Sequence, residues 1–304
     1  MASVEVLATP PSAPPAVAPA RLPLLRRLQR PRICLGLLLL MWLPLMASVM
    51  FGGYLGDAFR TWVLLPAIPA TIVLYVVAVT SWRESPIAVV GVSLVFFWLI
   101  IAVTVPFLPL IDPNKPLAPF AGIGVERNGH LFLLGADLKG RDMLSRVLWG
   151  CQRVLVWGVT ATLVAYVVGS MLGLMAGYLA KWWDQAISFV ANVLLSFPVM
   201  VLFILILNYL GASGFNIVIA VTFASAPAIM RIVRGLTLDT KSRDYIFAAQ
   251  TRGEHPLRIM IYELLPNARG PIIVDACLRL GYTTVAITTL TFLGLGSRPI
   301  PTGA

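Results

Sequence analysis

The chain has 304 residues, 59% of them hydrophobic and 12% charged, with a mean hydropathy of +0.87 and a formal net charge of +10. That apolar content excludes a soluble domain of this size and implies an integral membrane protein. The positive residues stand at the ends of apolar runs and are not gathered into a basic domain with exposed aromatics, so they read as membrane topology and exclude nucleic acid as the partner.

Residues 1–32 read as a disordered, basic cytoplasmic tail: Met1 to Ala20 is Ala/Pro-rich with Glu5 as its one charge, and Arg21, Arg26, Arg27, Arg30 and Arg32 follow. The apolar run Ile33 to Phe51 is long enough to span and has no clean small-residue cleavage site, so it reads as an uncleaved first helix with its amino end inside. Further spans are expected at Trp62 to Thr80, Ile87 to Leu108, Val154 to Tyr178, Ile187 to Leu210, Phe215 to Ile232 and Ile272 to Leu295, each about 18 to 25 residues long. About seven spans leave the carboxyl end outside. With that topology fourteen Lys and Arg fall on the inner side and eight on the outer side, in agreement with the positive-inside rule.

Residues 33–108 therefore hold the N-terminal membrane helices, and 109–153 form an outer loop. Its first part, with Asp112, Pro113, Asn114, Pro116 and Pro119, reads as extended turns. The stretch from Met143 reads as an amphipathic helix lying at the membrane surface, with Leu144, Val147 and Leu148 on its apolar face. Residues 154–295 form the core, and 296–304 an outer end. Cys34, Cys151 and Cys277 lie in or beside apolar segments without ligand spacing and read as packing residues, with no disulfide framework and no metal site.

In the fourth span Ala165, Gly169, Gly173 and Gly177 recur every four residues, a smooth stripe that lets another backbone approach closely. It suits packing within the chain, a subunit interface or a moving contact. Asp275 and Arg279 in the last span are four apart and can pair on one helix face, either as a structural pair that the arginine snorkels outward or as the polar lining of a pathway. The charged segment between Arg234 and Pro271 cannot lie in hydrocarbon. It carries two short amphipathic stretches, Tyr245 to Ala249 and Leu257 to Leu265, hinged at Gly253. Such a structured elbow either packs only on its own protein or meets a partner. No phosphate-binding loop, zinc-protease motif or nucleophile elbow occurs anywhere, so no catalytic residue is expected and the chain does not read as an enzyme. A secondary transporter would show inverted repeats and paired intramembrane acids, for which only Asp275 is a candidate. A non-transporting scaffold would need no structured elbow.

Phe247-Ala248-Ala249, three residues, Gly253, nine residues, Glu263, one residue and Leu265-Pro266 resemble the EAA loop of permease subunits of bacterial binding-protein-dependent ABC importers. Phe247 stands where that family has a glutamate, and Glu263 where it has an isoleucine. The run from Leu134 to Arg146 is similar to the L-G-T-D-x-x-G-R-D-x-x-S-R segment of the C-type permease in the dipeptide/oligopeptide/nickel branch, with Ala136 in place of the threonine. Leu194 to Pro198, Arg243 to Tyr245 and Leu290 to Gly296 also resemble that branch.

The resemblance implies a type I ABC importer permease fold, all-α, with extra N-terminal helices. The last family helix is expected to be missing because the sequence is truncated at Ala304, or else because that helix is dispensable. It also implies a multi-pass protein of the bacterial inner membrane that imports peptides or a related solute. Its partners would be a homologous permease, two cytoplasmic ATPases and an extracytoplasmic solute-binding protein, beside membrane lipid. ATP and magnesium would sit on the ATPase, and no cofactor on this chain. The coupling residues it implies are Tyr245, Phe247, Ala248, Ala249, Gly253, Leu265 and Pro266, with Pro266 expected to stop the second elbow helix before the last span.

Overall fold

A computed structural model describes residues 45–46, 67–81, 85–179 and 181–295. The tail, most of the first expected span and the segment 296–304 lie outside the described residues. The second expected span is described only from Ala67, as the 15-residue helix α1 (Ala67–Ser81). Helix α2 (Pro86–Thr104) starts on Pro86, whose missing N–H costs nothing in a first turn, and ends in a short 3-10 turn at Val105–Phe107.

The outer-loop segment is folded, and it contains a feature the sequence reading passed over. Strands β1 (Val125–Arg127) and β2 (His130–Phe132) pair antiparallel with Arg127 opposite His130. The connecting residues Asn128 and Gly129 both have left-handed backbone, at φ 54° and 72°, as a two-residue hairpin turn with the strand twist requires. Asn-Gly between short apolar runs was the available signal.

Asp137 organises the next turn. Its carboxylate accepts the backbone N–H groups of Lys139 and Arg141 at 2.9 Å each, meets Arg141 Nη2 at 2.6 Å and also pairs with Arg146. Burial pushes this carboxyl up, but the Arg141 side chain and the two backbone donors outweigh it and hold the group at about 2 against an ordinary 3.8. A depressed folded-state value stabilises the fold above the unfolded value and loses that contribution as pH falls through the folded one. Wild type is therefore expected to melt above Asp137→Asn at pH 5, with the gap closing between pH 3.8 and about 2. Thermal unfolding of the purified protein at a series of pH values checks this.

Asp142 accepts the Ser145 N–H at 2.8 Å and caps helix α3 (Met143–Leu179). The expected surface helix and fourth span are thus one 37-residue helix: the amphipathic stretch is helical, but no breaker separates it from the apolar run that follows. Helix α4 (Lys181–Leu195) and helix α5 (Val199–Leu210) replace the single fifth span and meet at 90°. Pro198 lacks a donor and disfavours helical backbone at Phe197, so the ladder breaks between them. Helix α6 (Gly214–Lys241) runs beyond the expected end at Ile232.

The chain then turns through α7 (Asp244–Thr251) and α8 (Pro256–Arg258), continues in a π-helical stretch, Ile259–Leu264, and finishes in α9 (Leu265–Phe292). Among the described residues four helices are long and apolar enough to cross a membrane, five if α4 and α5 count as one broken span.

Helices α3 and α6 form the centre. A Cβ on Gly169, Gly173 or Gly177 would lie 2.7 Å from Ile229, from Met230 and Val233, or from Thr237 respectively. The small-residue stripe is therefore packing inside the chain, with backbones close enough for dispersion to act where lipid removes the hydrophobic drive. Near the hairpin end Val156, Trp157, Ile217, Val221, Ile287 and Leu290 form one buried cluster. Toward the elbow Ala165, Leu174, Ile229 and Val233 form a second with residues of the elbow itself.

Candidate functional site

The elbow begins where Lys241 Nζ donates to the Tyr178 carbonyl at 2.6 Å and stands 5.3 Å from the Tyr178 ring centre. This fastens the last turn of α6 to that of α3. Gln250 Nε2 reaches the Tyr178 hydroxyl at 3.3 Å and ties α7 to the same anchor. Asp244 puts a negative charge in the first turn of α7, where the helix dipole favours it.

Helix α7 closes in a Schellman motif. The Gly253 N–H bonds to the Gln250 carbonyl at 2.9 Å and the Glu254 N–H to the Ala249 carbonyl at 3.2 Å, with Gly253 at φ 74°. Arg252 holds Glu254 Oε1 through Nε at 3.0 Å and Nη2 at 2.8 Å. His255 Nδ1 then accepts the Leu257 N–H at 3.3 Å and caps α8, with Pro256 in the first turn.

Pro266 does not stop the helix as expected. The chain is helical from Pro256 to Phe292, and the π turn ahead of the proline sends the Leu265 N–H to the Met260 carbonyl five residues back. That wider turn relieves the clash a proline ring makes with the carbonyl four residues before it.

The two faces of the elbow differ. Ile246 and Ala249 of α7, with Ile259, Met260 and Leu264, are buried against Ala165, Leu174, Ile229 and Val233, and half-buried Tyr245 and Leu265 pack against the same cluster. Phe247, Leu257, Ile261 and Tyr262 are exposed at 54%, 48%, 49% and 72%. Ala248, Gly253 and Pro266 are exposed beside them. The seven coupling positions thus divide: Phe247, Ala248, Gly253 and Pro266 face outward, whereas Ala249 is fully buried and serves the elbow's own packing. The spacing of Ile246 and Ala249, three apart, is the signal for that inner face.

Asp275 and Arg279 pair at 2.7 Å, and the Tyr166 hydroxyl of α3 donates to the same Asp275 oxygen. The pair is therefore a tie between α3 and α9, and Tyr166 is the member that spacing within one helix could not reveal. A second tie went unread: Arg234 Nε and Nη2 hold the two Asp184 oxygens at 2.5 and 2.7 Å, joining α6 to α4, where Ser188 supports the carboxylate at 3.1 Å. Asp184, the lone acid of α4, marked it. Among the described residues no three His, Cys, Asp or Glu gather as metal ligands would.

Comparison with known proteins bears on the same residues. A sequence model of the family described as "Binding-protein-dependent transport system inner membrane component" matches residues 169–303, which include the elbow. The dipeptide transport system permease protein DppC of Alkalihalophilus pseudofirmus is 34% identical over 234 residues, 74% of this chain and 75% of its own length. The di/tripeptide transport system permease protein DppC of Pseudomonas aeruginosa is 32% identical over 209 residues, 67% of this chain and 69% of its own. The glutathione transport system permease protein GsiD of Pectobacterium atrosepticum is 38% identical over 166 residues, 55% of each.

Proposed function

The chain belongs to the family of binding-protein-dependent transport system inner membrane components and is the permease subunit of an ABC importer of the peptide branch; from that premise we propose that it imports small peptides or a related solute, driven by a separate ATPase through the elbow at 239–267. The named solutes of its relatives, dipeptides, di/tripeptides and glutathione, support the peptide reading. As an inner-membrane permease it works with an ATPase and a solute-binding protein. In our reading it also pairs with a homologous permease, meets two copies of the ATPase, and leaves ATP and magnesium to them. The amino end and the elbow face the cytoplasm, as the basic residues around both favour.

One observation carries the coupling role. The elbow is rigidly built on the core along one face and presents Phe247, Ala248, Leu257 and Ile261 on the other, an apolar surface on a charged, water-facing segment. Short amphipathic helices recognise grooves in this way, by laying apolar anchors into them. Phe247, at the position where the EAA-loop resemblance implies an acid, supplies an apolar anchor in place of a charge. The Schellman closure at Gly253 fixes the angle at which α7 and α8 meet that groove.

Phe247→Cys, in a chain with Cys34, Cys151 and Cys277 replaced by serine, is expected to give a covalent adduct with the ATPase subunit when the assembled complex is treated with a bifunctional thiol reagent. Ala249→Cys, buried in the elbow, is expected to give none. Co-purification of the ATPase without any adduct from position 247 or 248 would contradict the docking role.

A further inference from the structure

At the outer ends of α3, α6 and α9 a cavity of about 320 Å³ lies beneath the Pro113 and Asn114 turn. That is the size range of small-molecule sites. Its floor is apolar, made by Trp157, Ile217 and Ile287, which belong to the buried cluster of the hairpin end. Its walls carry three guanidinium groups, those of Arg141, Arg146 and Arg153.

Two carboxylates answer these three charges. Asp137 takes Arg141 through Nε and Nη2 and also takes Nη1 of Arg146, while Asp112 lies within electrostatic reach of Arg153. Among the described lining residues these charges leave one positive in excess, in a recess walled by Trp149 and Trp157 where water screens it poorly. Arg153 is the distinctive member: it is half-buried, and among the described residues its guanidinium makes no hydrogen bond. A guanidinium has five donors in a fork that matches a carboxylate, so Arg153, with the remaining donors of Arg146, is ready for a second, incoming anion. The two arginines are seven residues apart on α3, two helical turns, and so stand on one side of that helix.

We propose that this cavity is a carboxylate-binding subsite, in which Arg153 and Arg146 receive the terminal carboxylate of the solute and the Trp157 floor takes an adjacent apolar side chain. The proposal rests on the peptide reading above and deepens it, since every unmodified linear di- or tripeptide brings a terminal carboxylate. The outer face is also where a binding protein hands over its cargo.

The test uses the assembled complex in nanodiscs without its binding protein, with saturation-transfer NMR of leucyl-phenylalanine and of its C-terminal amide. Wild type is expected to bind the free acid more tightly than the amide. Arg153→Gln is expected to weaken the acid by about tenfold or more and the amide by less than about twofold. Arg153→Lys, which keeps the charge, recovers part of the loss; a purely structural role would lower both ligands together. Equal binding of acid and amide by wild type, or an Arg153→Gln variant that keeps the acid's affinity within about twofold, overturns the subsite. Uptake with the binding protein separates this from the parent reading: a wild-type complex that imports no peptide defeats the peptide assignment, whereas peptide import by Arg153→Gln with unchanged KM and kcat defeats the subsite alone.

Discussion

Gly253→Val is expected to abolish most solute uptake by the assembled importer while the permease still inserts and accumulates in the membrane. The residue stands at φ 74°, and both Schellman hydrogen bonds, to Gln250 and Ala249, depend on that backbone. A Cβ there would meet nothing within 4 Å, so the penalty is purely conformational. Left-handed backbone costs a side chain about 1–2 kcal/mol, more for a branched one, which shifts the population of the closed turn by roughly 5- to 30-fold. The buried face of the elbow, Ile246, Ala249, Ile259 and Met260, is untouched, and the bundle should therefore fold. A graded series follows, with Gly253→Asn nearly neutral, Gly253→Ala intermediate and Gly253→Val most severe. Solute uptake and binding-protein-stimulated ATP hydrolysis, normalised to membrane-inserted protein, measure it. Wild-type uptake by the valine variant would refute a coupling role for this turn.

Gly173→Leu is expected to have the opposite signature, loss of the folded protein itself. Here a Cβ would lie 2.7 Å from both the Met230 carbonyl oxygen and Val233 Cβ and 3.0 Å from the Arg234 nitrogen. Two of those three atoms belong to the α6 backbone, which has no flexible end to swing aside, so α3 and α6 must separate. Gly173→Ala already overpacks the contact, at a cost of about 1–3 kcal/mol, and a leucine adds three more carbons to the same place. Gly235→Ala is the matched control. It lies on α6 with open space at its Cβ, and relief of helix-interior glycine should leave stability unchanged or raised by about 0.5–1 kcal/mol. Thermal stability of detergent-solubilised protein, read as the monodisperse fraction surviving a temperature ramp, distinguishes the three. A Gly173→Leu protein as stable as Gly235→Ala would mean that the two helices do not meet through this stripe.

Local chemistry writes some of these features into the chain, and packing alone reveals the others. Among the described residues apolar runs located the long helices and charge located the elbow, because both follow from transfer of residues between water and hydrocarbon. The resemblance carried by Ala248, Gly253 and Leu265 pointed to a coupling loop, and the hinge expected at Gly253 is the turn between α7 and α8. Partners across the bundle were hidden. Nothing near Arg234 in sequence points to Asp184, and nothing near Asp275 points to Tyr166, yet both carboxylates are held across helices. Pro198 and Pro266 show the limit most clearly. Both are visible in the sequence, but one breaks a helix by 90° while the other is absorbed by a π turn. The choice depends on whether the surrounding chain can supply a wider turn, which is a property of the packed helix and not of the proline.

The helical continuity from Pro256 to Phe292 turns the elbow into one end of a lever. At about 1.5 Å per residue, its 37 residues reach some 55 Å. A tilt of about 10° about its midpoint would therefore carry each end roughly 5 Å sideways, about half the diameter of a helix. Tyr166, gripping Asp275 about halfway along, lies where a fulcrum would be. With the elbow docked as proposed, a small angular stroke delivered at Phe247 and Leu257 would move the opposite end of the same helix by a comparable distance in the other direction.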